Sequence, residues 1–215
     1  LTGDGYLRST SVDNYRIQNR GGMGSNGISK KNDGEDIFEM FEAGSKDLLL
    51  FFSDYGIMYQ RKAYEIPQGT KTGKGTHVSS LLSLKEDENI TNVISLKTLD
   101  QDGYLTIVTK KGLIKRTELR EYDSSRKNAG ITAIKLDDDD RVSFVMVSDG
   151  NKDIFIVTAN GQCVRYPENV VSVQGRSTRG SRSMKLDSDD SVVQIFTIDK
   201  DKNPDILVVT SKGYG

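Results

Sequence analysis

The chain has no tryptophan, one cysteine, one histidine and three prolines in 215 residues. A lone cysteine, Cys163, has no partner for an internal disulfide, so the fold rests on its core, and the usage fits a reducing compartment. Cys163 lies in the strand-like run GQCVRY and reads as a small buried hydrophobe rather than a nucleophile. The lone His77 has no second imidazole and no acid in its own loop, which leaves a zinc centre and a Ser-His-Asp triad poorly supported. No apolar run approaches the length of a membrane span, and no signal-peptide pattern is present, so the reading is neither membrane-spanning nor secreted by that route. Helical periodicity nowhere persists over ten residues. Net charge is also missing: 30 Lys and Arg against 31 Asp and Glu give -1, so no global basic excess advertises a polyanionic partner.

What the chain does have is glycine in register. Gly5, Gly56, Gly112, Gly161 and Gly213 each close a strand-turn pattern, with spacings of 51, 56, 49 and 52 residues. A second glycine follows the first four, Gly24, Gly75, Gly130 and Gly180, at offsets of 19, 19, 18 and 19. A period near fifty residues signals a propeller or similar array, whose units bury their apolar faces on one another. In each unit a first strand (LLLFFS from Leu48, YLTIVT from Tyr104, DIFIVT from Asp153, DILVVT from Asp205) runs into a glycine turn, a hairpin signal. The second strand follows at once as YLRST, IMYQRK, LIKRTE or QCVRYP. A third follows the second glycine, and the fourth is DIFEMF from Asp36, ITNVISL from Ile90, VSFVMVS from Val142 or SVVQIFTI from Ser191. Four strands per unit make a propeller blade, so the chain reads as all-β and as one domain over 1–215. The repeats fall at about 1–45, 46–102, 103–151 and 152–203, with the start of another at 204–215. The expectation is four blades and part of a fifth from a longer array.

Charge sorts into phases along each repeat. The segments QNRGGMGSNGI, QGTKTGKGTHV, SSRKNAGITAI and QGRSTRGSRSM begin at Gln18, Gln68, Ser124 and Gln174. They carry Arg20, Lys71, Lys74, Arg126, Lys127, Arg176, Arg179 and Arg182 and no acid, where about six would fall by overall content. The second strands add Arg8, Arg61, Lys62, Lys115, Arg116 and Arg165. The acids follow each basic loop: Asp33, Glu35 and Asp36; Glu86 to Glu88; Asp137 to Asp140; Asp187, Asp189 and Asp190. A short strand between the phases would put one positive and one negative rim on the array. Gly-rich loops with clustered Lys and Arg suit a polyanion backbone, because amides and cations both reach phosphate. The competing reading makes them solvated turns with glycine serving only positive φ; four in register without an acid favour the first. Tyr15, Tyr64 and Tyr122 follow their turn glycines by 10, 8 and 10 residues and read as rim residues packed on the next blade rather than as base-stacking groups. The acidic runs lack the D-x-D-x-D-G spacing of a calcium loop and read as turns, with no metal site.

The segment QNRGGMG (Gln18, Asn19, Arg20, Gly21, Gly22, Met23, Gly24) resembles the seven-residue box of the C-terminal domain family of DNA gyrase A, Q-[RK]-R-G-G-[RK]-G. Five positions match. The flank GYLRSTSVDNYR is similar to the family's G-Y-x-K-R-x-x-x-x-x-Y-R, and the degenerate pattern continues over the whole chain. The resemblance implies a β-pinwheel, a six-bladed disc with strands exchanged between blades, whose basic rim wraps duplex DNA and gives gyrase its ATP-dependent negative supercoiling. It implies a non-catalytic domain without cofactor, ATP and Mg being used elsewhere in the holoenzyme. The implied partners are duplex DNA, the rest of gyrase A, and gyrase B in an A2B2 assembly in the bacterial cytoplasm, at the nucleoid. Asn19 and Met23 depart from the box. Met cannot bond a phosphate, so one charge, Arg20, remains and more of the binding falls to the other loops. The alternatives are the corresponding domain of topoisomerase IV, positioning DNA for relaxation and decatenation, and a protein-binding propeller.

Overall fold

The computed structural model describes residues 1–14, 38–70, 73–123, 129–202 and 204–209. Thirteen strands appear there: β1 (Tyr6–Leu7), β2 (Leu48–Ser53), β3 (Ile57–Lys62), β4 (Thr76–His77), β5 (Ile90–Leu96), β6 (Tyr104–Thr109), β7 (Leu113–Glu118), β8 (Ile131–Thr132), β9 (Val142–Ser148), β10 (Asp153–Thr158), β11 (Cys163–Pro167), β12 (Ser181–Arg182) and β13 (Val192–Ile198). The first, second and fourth strands of repeats two to four thus form where the alternating and apolar runs place them. Of the two outlying runs, residues 38–41 of DIFEMF and 205–209 of DILVVT are not in strands. Four 3-10 turns follow the second strands, at Val12–Asn14, Ala63–Glu65, Leu119–Tyr122 and Glu168–Val170, and a fifth spans Val78–Ser80. Among the described residues no helix is long and apolar enough to cross a membrane.

The sheets do not respect the repeat boundaries. Their strand orders are β5-β2-β3-β8 and β9-β6-β7-β12. The fourth, first and second strands of one repeat are therefore joined by the third strand of the next. β1 likewise pairs with β4, Tyr6 opposite His77 and Leu7 opposite Thr76. β13-β10-β11 makes a three-stranded sheet. All pairings between these strands are antiparallel, from Leu48–Lys62 to Phe52–Met58 in one hairpin and from Tyr104–Glu118 to Val108–Ile114 in the next. The fourth strands β5, β9 and β13 pack on one another from sheet to sheet, and Ser143 Oγ on β9 donates to Val192 O on β13 at 2.8 Å. They form the inner edge. The exchanged two-residue strand forms the opposite, outer edge.

The core lies between sheets. β2 alternates: Leu48, Leu50 and Phe52 meet Leu105, Ile107 and Tyr122 of the following repeat, while Leu49 and Phe51 meet Leu7, Tyr59 and Val78. A third cluster joins Val108 and Ile114 to Ile154, Ile156 and Ile195. Both faces of β2 are buried, which is why its run is continuously apolar rather than alternating. The other face of β10 stays half-open, with Phe155 stacked on Phe196 at 5.0 Å between ring centres. Cys163 on β11 is exposed, against the buried position its run suggests: among the described residues no strand covers the outer side of β11, as β12 covers β7.

Candidate nucleic-acid interface

Where they are described, the basic loops lead directly into the outer-edge strand, and the loop 174–180 is held by the repeat before it. The loop 174–180 begins with the Gln174 amide on Arg116 O at 2.8 Å, crosses to Gly180, and enters β12 on the edge of β7. Gly180 has φ +92°, and a Cβ there would stand 2.7 Å from Ile114 O. Gly75 is built the same way against Leu7 O at 2.6 Å. In repeats two to four the second glycine is thus a close-packing residue facing the previous blade. It does not face outward toward a ligand.

The cations of the candidate set divide by environment. Lys115 is fully buried. Its Nζ donates to Gly175 O at 3.1 Å and to Arg176 O, and burial, with the nearby Arg176 charge, pushes its pKa down to about 8. Arg116 is 7% exposed, with its guanidinium 4.5 Å from the centre of the Tyr104 ring. The structure removes both from the set of phosphate contacts, because every face of each side chain is taken up by protein. They alternate along β7, but both faces of that strand are covered, so neither points to solvent. Arg8 donates to Thr70 O at 3.3 Å and to Gly73 O, and Arg61 donates to Gln60 O at 3.1 Å and to Leu81 O. These two arginines brace turns of the following segments. Arg165 pairs with Asp153 at 2.8 Å, and Lys62 Nζ donates to Lys46 O at 3.2 Å.

The side chains most open at the outer edge are Lys74, Arg179 and Arg182, with Arg176 partly exposed. Lys74 Nζ lies 4.1 Å from the centre of the Tyr6 ring and 3.9 Å from Asp4. Arg179 is ion-paired with Asp137, which sits in the acidic turn of the previous repeat. The basic and acidic phases therefore meet at this point, and the expectation of two fully separate rims is corrected: strand exchange carries each basic loop back onto the preceding repeat. Arg20, Lys71, Arg126 and Lys127, and the whole box Gln18, Asn19, Arg20, Gly21, Gly22, Met23 and Gly24, lie outside the described residues, as does Tyr15.

The acidic turns have a structural side that composition did not signal. Asp140 Oδ1 accepts from the amides of Lys111 (3.1 Å) and Arg141 (2.8 Å), and Asp190 Oδ1 accepts from Asn160 (3.0 Å) and Ser191 (2.8 Å). Both carboxylates are buried and tie the fourth strand to the hairpin turn after the first. Burial works to raise the Asp190 pKa, but hydrogen bonds from Thr158 and the backbone win and hold it below the usual value. Glu88 is also buried and accepts from Tyr59 Oη at 2.8 Å and the Lys85 amide at 2.8 Å. The tyrosines split: Tyr64 is 67% exposed, whereas Tyr122 is buried with its hydroxyl on Ala133 O at 3.3 Å. His77 Nδ1 bonds Ser79 Oγ at 2.7 Å, and its ring meets Tyr6 edge-on at 5.1 Å, a packing role.

Comparison with known proteins agrees with this geometry. The family model of the DNA gyrase C-terminal domain, beta-propeller, matches residues 1–41, 47–97, 103–149 and 152–199. DNA gyrase A of Haloquadratum walsbyi is 38% identical over 219 residues, which cover 100% of this chain and 25% of that protein. The chain thus spans a quarter of the length of that relative. Among solved structures, the C-terminal domain of DNA topoisomerase IV superposes with a TM-score of 0.75 at 29% identity, over 92% of this chain and 59% of that one. The C-terminal domain of DNA gyrase A superposes with a TM-score of 0.69 at 28% identity, over 92% of this chain and 63% of that one.

Proposed function

The chain belongs to the DNA gyrase C-terminal domain family, and we propose that it binds and bends duplex DNA along the outer edge of its blades without reading sequence. The observation that carries this is the repeated loop at that edge, rich in cations and free of acids. Such loops neutralise phosphates but have no helix or ribbon for the major groove, so base identity goes unread. Bending a 20–30 bp site by 40–90° costs on the order of 1–6 kcal/mol, more than one loop offsets, which explains repetition around an arc. Lys74, Arg176, Arg179 and Arg182 are the described contacts; Arg20, Lys71, Arg126 and Lys127 complete the set. Lys62, Arg8, Arg61 and Arg165 contribute field rather than direct contact.

Within a complete gyrase A polypeptide the wrapped segment would be delivered to the cleavage core with fixed handedness. ATP-driven strand passage, with gyrase B in an A2B2 assembly, then introduces negative supercoils in the bacterial cytoplasm, at the nucleoid. No bond chemistry or cofactor is assigned to this domain. A second reading is the positioning role of topoisomerase IV in relaxation and decatenation, favoured by the higher TM-score of that domain. Titration of a labelled duplex at several salt concentrations tests the binding. With six to eight phosphates neutralised, log K falls against log[salt] with a slope of roughly -5 to -7. A slope near zero, or strong preference for one sequence, refutes the backbone-wrapping mode.

A further inference from the structure

The cations removed from the phosphate-contact set still bear on it. Lys115 stands three residues past its turn glycine, Gly112, and Arg8 three past Gly5. Each points inward, onto the basic loop of the next repeat. Lys115 gathers the carbonyls of Gly175 and Arg176, and Arg8 those of Thr70 and Gly73. The 174–180 loop is further fixed by the Thr178 amide on Gly175 O at 3.2 Å and the Lys135 amide on Thr178 O at 3.0 Å. Among the described residues the amides of Gly175, Arg176 and Ser177 donate to no protein group. A short loop whose carbonyls are drawn inward by a buried cation leaves its amides facing out. That polarity is the one an anion needs, and here two arginine side chains rise from the same loop. Tyr59 and Val164 occupy the equivalent place in repeats two and four, so the device belongs to repeats one and three.

We propose that Lys115 is the positioning residue of the 174–180 loop: from inside the preceding blade it sets the loop so that amides and arginines face phosphate, without touching phosphate itself. The inference rests on the DNA-binding reading, and its test separates the two.

Duplex affinity and its salt dependence are measured for the chain and for Lys115→Met, Lys115→Arg and Arg176→Gln. Lys115→Met folds but binds roughly tenfold more weakly, as expected for one or two misplaced charge-assisted contacts. Its salt slope is unchanged because no phosphate partner is lost, and Lys115→Arg recovers most of the affinity. Arg176→Gln weakens binding and also reduces the slope by about 0.9. Hydrogen exchange at the Thr178 amide supplies a readout free of DNA: protection falls in Lys115→Met and returns in Lys115→Arg. A folded Lys115→Met with wild-type affinity overturns the proposal, and so does a slope reduced as in Arg176→Gln, which would make Lys115 a direct contact. If the unaltered chain shows no salt-dependent duplex binding, the functional reading falls, and unchanged Thr178 protection in Lys115→Met overturns the positioning role by itself. If Lys115→Met does not fold, Lys115→Gln is measured the same way, with the same outcomes deciding.

Discussion

Asp137 and Asp140 stand in one run of four aspartates yet do opposite work. Asp137 is on the surface and ion-pairs with Arg179, a partner that DNA bound in the proposed mode would have to displace; Asp140 is buried and ties two backbone amides. Asp137→Asn therefore raises duplex affinity about two- to fourfold in a titration, the scale of one exposed ion pair. Asp140→Asn instead lowers stability by about 1–3 kcal/mol in denaturant unfolding, because a charge-assisted bracket of the hairpin is weakened. Sequence could not separate them, since only the hairpin register decides which carboxylate meets Lys111. Titration divides residues in the same manner. An unfolded lysine holds its proton to 10.5, whereas buried Lys115 releases it near 8. The unfolded chain binds more protons in that window, so this group adds stability as pH rises from 8 to 10.5 and loses it as pH falls through 8. Burial pushes Tyr122 and Tyr166 up from 10.0 to about 12, which has the opposite effect: the folded state keeps protons that the unfolded state sheds, and stability falls above pH 10. Unfolding midpoints from pH 8 to 10 rise for the wild type and stay flat for Lys115→Met; parallel curves would refute the assignment.

The long strands were legible because their runs are short, β-rich and bounded by glycine turns. The third strands were legible in place, just after the second glycine, but not in length or partner, because two residues such as Ser181–Arg182 carry no periodicity, and nothing in their composition names the sheet they join. The 3-10 turns after the second strands were missed for the same reason. Glycine separates into two kinds at this scale. Gly161 closes a hairpin with φ +81° and open space where a Cβ would stand, so Gly161→Ala costs only backbone strain, about 1 kcal/mol. Gly180 combines φ +92° with a backbone oxygen 2.7 Å from that site, so Gly180→Ala must move β12 off β7. A loss of about 2–4 kcal/mol is expected, from strain and the displaced edge together. Denaturant unfolding of the pair checks this; equal losses would mean the loop is not seated on the preceding blade.

For the whole molecule, the propeller class, the repeat and the family were readable because period and hairpins recur along the entire chain and one box, Gln18 to Gly24, stands in the first repeat. The basic loops were readable as a set, but the accessibility of each cation was not: Lys115 and Arg116 look like Arg61 and Lys62 until both faces of β7 are seen to be covered. The functional consequence belongs to the complete enzyme. On the proposed gyrase reading, replacing Gln18 to Gly24 by alanines in the full-length protein is expected to reduce negative supercoiling sharply in a plasmid assay while ATP-dependent relaxation and decatenation persist. Unchanged supercoiling would favour the topoisomerase IV reading. The exchange of strands, finally, has a bearing on how such a chain is made. A sheet that starts at Tyr104 is closed only by Arg182, so synthesis must run well into the following repeat before it is complete. Between Glu118 and Arg182, at 5–20 residues per second, the edge of β7 stays unpaired on the ribosome for on the order of 3–13 seconds. Assembly then trails translation by most of one repeat, and each newly emerging segment acts as the clasp for its predecessor.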